Sequence, residues 1–201
     1  MDGSSNSFLY LLDQAEVIDL SAKKKYIRIK EVVEVRDIEN NKWVKITPFA
    51  GYKVKIITDF GGHPVFKQEY STFEADFAKH SYIDEISRAR TFGFMYEVEY
   101  LRKNGLALGG NLNNAIVLDE DSVLNAGGLR FPDEFVRHKI LDAIGDLYIM
   151  GYQFIGAFEG YRSGHAINNQ LLRKLLNYPE TWEFVTFNDP LDVPPSFHPL
   201  N

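Results

Sequence analysis

The order of apolar patterns along these 201 residues predicts an α+β protein in which helices pack on a largely antiparallel sheet. Three observations carry this expectation. Residues 27–56 are dominated by period-two alternation, and two helical patterns fill the C-terminal third. Strands and helices also do not take turns in the regular βαβα order that a parallel sheet needs. A chain of this length buries roughly 70% of the surface its unfolded form exposes, enough for a full core without staples.

Near the start, Phe8, Leu9, Leu11, Leu12 and Ala15 recur at helical spacing, with Ser4, Ser5 and Asn6 available as N-caps. This short helix has no companion upstream. After a basic joint at 21–25, Ile27, Ile29, Val33 and Val35 keep odd parity, so one face of that segment is apolar, Glu31 excepted. Asn40-Asn41 marks a turn, and residues 43–47 form the return strand of a hairpin. Pro48 and Gly51 punctuate before Tyr52, Val54 and Ile56 alternate again; residues 59–64 are a turn-rich loop.

Residues 73–90 give a mixed signal, with a helix starting near Ser81 or Ile83. A short helix over 97–103 closes at Gly105. Residues 115–118 and 123–124, joined by Asp119-Glu120-Asp121, form a β-hairpin. The clearest helix covers 132–150, opened by Pro132 and Asp133 and closed by Gly151. A buried strand over 153–158 follows. The last helix begins near His165 with Ile167, Leu171, Leu172, Leu175 and Leu176 on one side, and an irregular tail starts at Pro190.

Composition excludes several function classes. Twenty-two Lys and Arg against 28 Asp and Glu give a net charge of −6, a poor basis for holding nucleic acid. The absence of cysteine rules out disulfides, thiol catalysis and Cys-ligated metal, and suits a reducing compartment. The longest apolar run, 147–158, is broken by glycine and Gln153 and is too short for a membrane span; the first residues lack the basic region of a secretory signal. The expectation is a soluble, cytoplasmic protein.

The 132–150 helix carries the chemistry. Phe135, Val136, Ile140, Leu141, Ala143, Ile144, Leu147 and Tyr148 cover most of its circumference, which predicts a buried helix. Yet Glu134, His138, Asp142 and Asp146 follow at i+4 steps as one ionisable stripe. Buried carboxylates need a cleft, a counter-charge or a metal. His138 and Asp142 are spaced to place an imidazole nitrogen and a carboxylate oxygen on one ion, and this sulfur-free pair suits zinc, with iron or manganese as looser fits. A plain His–Asp hydrogen bond, with Arg137 and Lys139 pairing the stripe, remains the competing explanation.

His165, in Ser163-Gly164-His165 at a helix start, can stabilise an oxyanion or protonate a leaving group; a capping or core histidine is the alternative. His63, His80 and His198 fit solvated surface positions, although His63 beside two glycines can line a pocket. The glycine-rich stretch 105–111 fits neither a dinucleotide fingerprint nor a phosphate loop.

Taken together, Met1-Asp2-Gly3-Ser4, Ser87-Arg88-Ala89-Arg90-Thr91-Phe92-Gly93-Phe94, Gly105 to Gly110 with Asn114-Ala115-Ile116-Val117, Gly128-Leu129-Arg130-Phe131, residues 133–147 and Ser163-Gly164-His165-Ala166 closely resemble the UDP-3-O-acyl-N-acetylglucosamine deacetylases. These are zinc amidohydrolases of lipid A synthesis in Gram-negative bacteria. The resemblance runs from Met1 to about Phe187 and implies one half of a two-layer α/β sandwich pair.

On that resemblance, His138 and Asp142 are two of three zinc ligands, iron being possible. Thr91 is a hydroxyl that holds the carbonyl oxygen as it gains charge. His165 stabilises the intermediate and protonates the leaving amine, Asp146 orients it, and Lys139 is a site lysine. Asp59, Phe60 and Arg162 belong to the UDP end, Arg162 standing where lysine is usual. Phe92 joins the substrate-binding set, and Met95, Val98, Gly110, Asn111, Ala115 and Val117 form the acyl-chain passage. The partner is a UDP-linked acylated amino sugar.

The resemblance also implies an N-terminal domain upstream of Met1 that supplies a histidine ligand and a glutamate base. On that expectation residues 1–22 are its remnant helix and linker, 23–190 the C-terminal deacetylase domain, and 191–201 a tail. The chain alone is then nearly inactive. The alternative is a non-catalytic fragment retaining UDP-sugar or acyl-chain binding, or a metal-free domain with a hydrogen-bonded His–Asp pair.

Overall fold

The computed structural model describes residues 2–16, 18, 20–66 and 70–198, so the last residues of the tail lie outside the described ones. Helices pack on a seven-stranded, mostly antiparallel sheet organised around one strand, β8 (Gln153–Tyr161). The strand is longer than the 153–158 expected. It pairs in parallel with β1 (Tyr26–Ile29) through residues 153–155, then lies between β3 (Lys42–Thr47), antiparallel, and β4 (Tyr52–Asp59), parallel. β2 (Val33–Asp37) extends the sheet beyond β3, and β5 (Tyr70–Asp76) extends it beyond β4; β9 (Trp182–Val185) pairs with β1.

The single apolar segment expected over residues 27–35 is two strands. Ile27 and Ile29 are buried beside β8, whereas Val33 starts a strand that pairs only with β3. Alternation survives the break because both faces point to the same core. The Asn40-Asn41 turn holds, with Asn41 at φ 49°.

Helix α4 (Glu134–Leu147) packs on β4 and β5, and α5 (His165–Asn177) packs on β2, β3 and α4. Val136, Ile140 and Ala143 from α4 and Leu171, Leu172 and Leu175 from α5 enter one core with Ile46, Val54, Ile56 and Phe158. Fully burying each large aliphatic contributes roughly 1.5–3 kcal/mol. α4 starts two residues later than the 132–150 pattern, and its last three positions, Tyr148–Met150, form a 3-10 turn ended by Gly151 at φ 79°. The helix is not buried all round: Leu141 and Ile144 are half-buried and Tyr148 is exposed, so α4 has an open side. Leu176 is exposed too, whereas Asn168 on the same helix is buried.

A satellite unit lies beside this core. β6 (Phe92–Phe94) pairs in parallel with β7 (Ile116–Leu118), and α3 (Met95–Lys103) starts with the Glu97 carboxylate accepting from the Phe94 amide at 3.2 Å. The expected hairpin after β7 is reduced to one bridge, Leu118 to Val123. α1 (Asn6–Asp13) buries none of its residues, and α2 is a single turn, Tyr82–Glu85, capped by Ser81. Two 3-10 turns, Pro190–Asp192 and Pro195–Phe197, give the tail local structure. Among the described residues no helix is long and apolar enough to cross a membrane.

Candidate active site

The ionisable stripe of α4 divides into three environments. Glu134 is 0% exposed, and its two oxygens accept from the Arg90 Nε (2.8 Å), Nη2 (3.1 Å) and amide (3.0 Å) and from the Arg130 amide (2.6 Å). Burial pushes its carboxyl up, but the Arg90 and Arg130 donors pull harder, and the net value lies below the ordinary range. Glu134 is therefore a structural anchor and not part of an open cleft. Arg137, expected as a stripe partner, instead pairs with Asp133 and Glu85.

One turn on, His138 is buried, and its Nδ1 lies 3.0 Å from the Ala89 carbonyl oxygen. A carbonyl can only accept, so Nδ1 carries the proton and the lone pair sits on Nε2. That nitrogen faces Asp142 Oδ1 at 3.3 Å. Two acceptors held face to face repel unless a second proton or a cation lies with them. The donor set, one imidazole nitrogen and one carboxylate oxygen, with the other ring nitrogen fixed by a carbonyl, fits a divalent metal ion such as zinc. Among the described residues no group of three or more His, Cys, Asp or Glu converges on one point.

One turn further, the Asp146 oxygens lie 2.9 and 3.0 Å from His165 Nδ1, and Asp146 Oδ2 accepts from the Asn168 side-chain Nδ2 at 2.8 Å. His165 is the first residue of α5, and its side chain is 72% exposed, neither a core nor a capping histidine. With Nδ1–H directed at a carboxylate, Nε2 faces solvent and can hand over or receive a proton.

The segment before and within β6 runs past this helix face. The Phe92 ring lies edge-on to His138 with centroids 6.3 Å apart, and Lys139 Nζ is 5.8 Å from the Phe92 centroid. Thr91 is exposed, and its hydroxyl makes no hydrogen bond among the described residues. Met95, Val98, Gly110, Asn111, Ala115 and Val117 all line one mostly apolar groove of about 740 Å³, which Thr91 and Phe92 also line. The Asn125 side chain ties its base together, accepting from the Val117 amide and donating to the Leu112 and Ala115 carbonyls.

Asp59 and Arg162 lie at the C-terminal ends of the parallel neighbours β4 and β8. Asp59 Oδ2 accepts from the Tyr161 hydroxyl at 2.5 Å and Oδ1 from the Gly61 amide at 2.9 Å, which hold its carboxyl below the usual range. Phe60 stacks on Phe66 at 3.7 Å in an aromatic cluster with Phe92 and Phe135. His63 and His80 are half-buried, not solvated: His63 packs on Phe94, and His80 Nδ1 meets the Asp76 backbone.

Sequence reasoning missed Tyr161, Asn168 and the Ala89 carbonyl. Only Asn168 left a signal, as the lone amide within the apolar stripe of α5.

Comparison with known proteins gives concordant matches. The family model described as UDP-3-O-acyl N-acetylglycosamine deacetylase (LpxC) matches residues 1–177. Curated proteins named UDP-3-O-acyl-N-acetylglucosamine deacetylase are 60% identical in Chromobacterium violaceum and 59% in Neisseria meningitidis, each across 100% of this chain. One from Haemophilus influenzae is 51% identical across 98% of it. The chain spans about 65% of the length of these relatives.

Proposed function

The chain belongs to the UDP-3-O-acyl-N-acetylglucosamine deacetylase family, and from that premise we propose that it carries the metal-binding helix, the acid and the acyl groove of a zinc-dependent amidohydrolase. Its reaction is hydrolysis of the acetamide of a UDP-linked, 3-O-acylated N-acetylglucosamine to the free amine and acetate, a step of lipid A synthesis. The observation that carries this reading is the aim of two acceptors, His138 Nε2 and Asp142 Oδ1, at one point while Ala89 fixes the other ring nitrogen.

His138 and Asp142 would hold the ion, which when bound supplies a Lewis acid for the acetamide carbonyl and a more acidic water. Thr91 has a free hydroxyl to donate to the carbonyl oxygen as charge develops there. When the C–N bond breaks, the departing nitrogen needs a proton, and His165 Nε2 is the group positioned to give it, with Asp146 holding the charged imidazole. Lys139 adds a cation beside Phe92. The mostly apolar groove along α3 takes the acyl chain, and Asp59 with Arg162 meets the UDP end.

The two ligands of this helix hold zinc weakly without a third, and a general base is needed from elsewhere. For the 201 residues alone we therefore propose substrate binding with little turnover. Calorimetric titration of the UDP-sugar substrate, with and without zinc, tests the reading: binding strengthened by zinc and lost in His138→Ala supports it, and no binding refutes it. Acetate release as fast as that of a full-length relative would overturn the claim of low turnover.

A further inference from the structure

We propose that Asn168 is a positioning residue for His165, acting through the Asp146 carboxylate. Its importance for catalysis rests on the function proposed above; the geometric claim stands without it. An imidazole that is 72% exposed is not positioned by packing. Its only hydrogen-bond partner among the described residues is Asp146, so the orientation of the ring is inherited from that carboxylate. Among the described residues the Asp146 carboxylate in turn has two partners, the exposed His165 and the buried Asn168. Asn168 alone is fixed by its surroundings: it is 1% exposed, one turn after His165 on α5, among Ile167, Leu171 and Leu172.

The amide's other half has no comparable contact. Asn168 Oδ1 is buried without a hydrogen-bond partner among the described residues. Such an orphan acceptor is costly, so the side chain's favourable polar contact is the one that Nδ2 makes with Asp146. Flipping the amide gives no relief, because it sets the oxygen against the Asp146 carboxylate. The amide is therefore locked with Nδ2 toward Asp146, and rigidity passes from the core to the carboxylate and on to the imidazole.

Nitrogen NMR of His165 reads this directly, independent of any turnover. In the native chain the neutral ring is expected in the Nδ1–H form. Asn168→Leu, close in shape, removes the donor to Asp146 and the orphan oxygen together. The same substitution is expected to lower the Nδ1–H to Nε2–H ratio by about two- to tenfold, the range spanned by one hydrogen bond. An unchanged ratio overturns the proposal. Should the leucine variant fail to fold, Asn168→Ala reports the same ratio: a fall supports the proposal and an unchanged value overturns it. If the ratio falls in the variant but the protein binds no UDP-sugar, the positioning claim stands and the proposed function does not.

Discussion

His138 Nε2 and Asp142 Oδ1 lie 3.3 Å apart although the Ala89 carbonyl already claims the proton on Nδ1. The pair is thus an acceptor facing an acceptor, and a shared cation converts that repulsion into binding. Zinc at 100 times its dissociation constant is expected to stabilise the fold by about 2.7 kcal/mol. For a chain of this size that is a rise of about 5–10 °C in melting temperature. Asp142→Ala should cancel the rise. A scan in which native and variant protein respond equally would place the ion elsewhere.

Glu134 and Arg90 give a second prediction, on stability and not on chemistry. Glu134→Gln leaves the half of a buried pair that cannot discharge, so the expected loss is about 3–5 kcal/mol in urea unfolding. The native pair also sets a pH dependence. Because the folded carboxyl titrates below its ordinary 4.5, its contribution is complete above that pH and disappears as the pH falls through the lowered folded value. The difference in urea midpoint between native protein and Glu134→Gln should therefore be large at neutral pH and shrink in acid. A difference that stays constant with pH would mean that the carboxylate charge contributes nothing.

These two pairs show which features the sequence makes legible. The i+4 stripe is visible because a helix turns sequence spacing into geometry, and His138 and Asp142 do share a direction. The fate of Glu134 is not, because its partner lies 44 residues upstream and is brought there by the path of the chain into β6. Long periodic helices such as α4 and α5 announce themselves. β5 and β9 do not: each pairs along a single neighbour, exposes alternate or central positions, and so carries little apolar pattern. The pairing of β6 with β7 joins segments of three residues, too short for any period to register.

Tyr161 and Asp59 couple the ends of β8 and β4. The Tyr161 hydroxyl is the largest influence lowering the Asp59 carboxyl, followed by the Gly61 amide. Tyr161→Phe removes that donor, so the Asp59 carboxyl should rise toward its ordinary 3.8. Carbon NMR titration of Asp59 measures this, and an unshifted carboxyl in the variant would rule out the tyrosine as the cause.

Gly156 marks where β8 passes from pairing with β1 to lying between β3 and β4. A Cβ there would sit 2.9 Å from Ile29 Cγ1 and 3.2 Å from the Thr47 carbonyl oxygen. Ile29 is buried in the core and Thr47 is held in the β3–β8 ladder, so neither neighbour can retreat cheaply. Gly156→Ala is accordingly expected to cost about 1–3 kcal/mol. Gly145, in α4, is the matched control: it is exposed, and nothing lies within 4 Å of the position its Cβ would take. Gly145→Ala should therefore raise stability by about 0.5–1 kcal/mol through helix propensity alone. Opposite signs for one substitution at two glycines would trace the first effect to close strand approach; equal signs in thermal unfolding would show that the sheet gives way at Gly156.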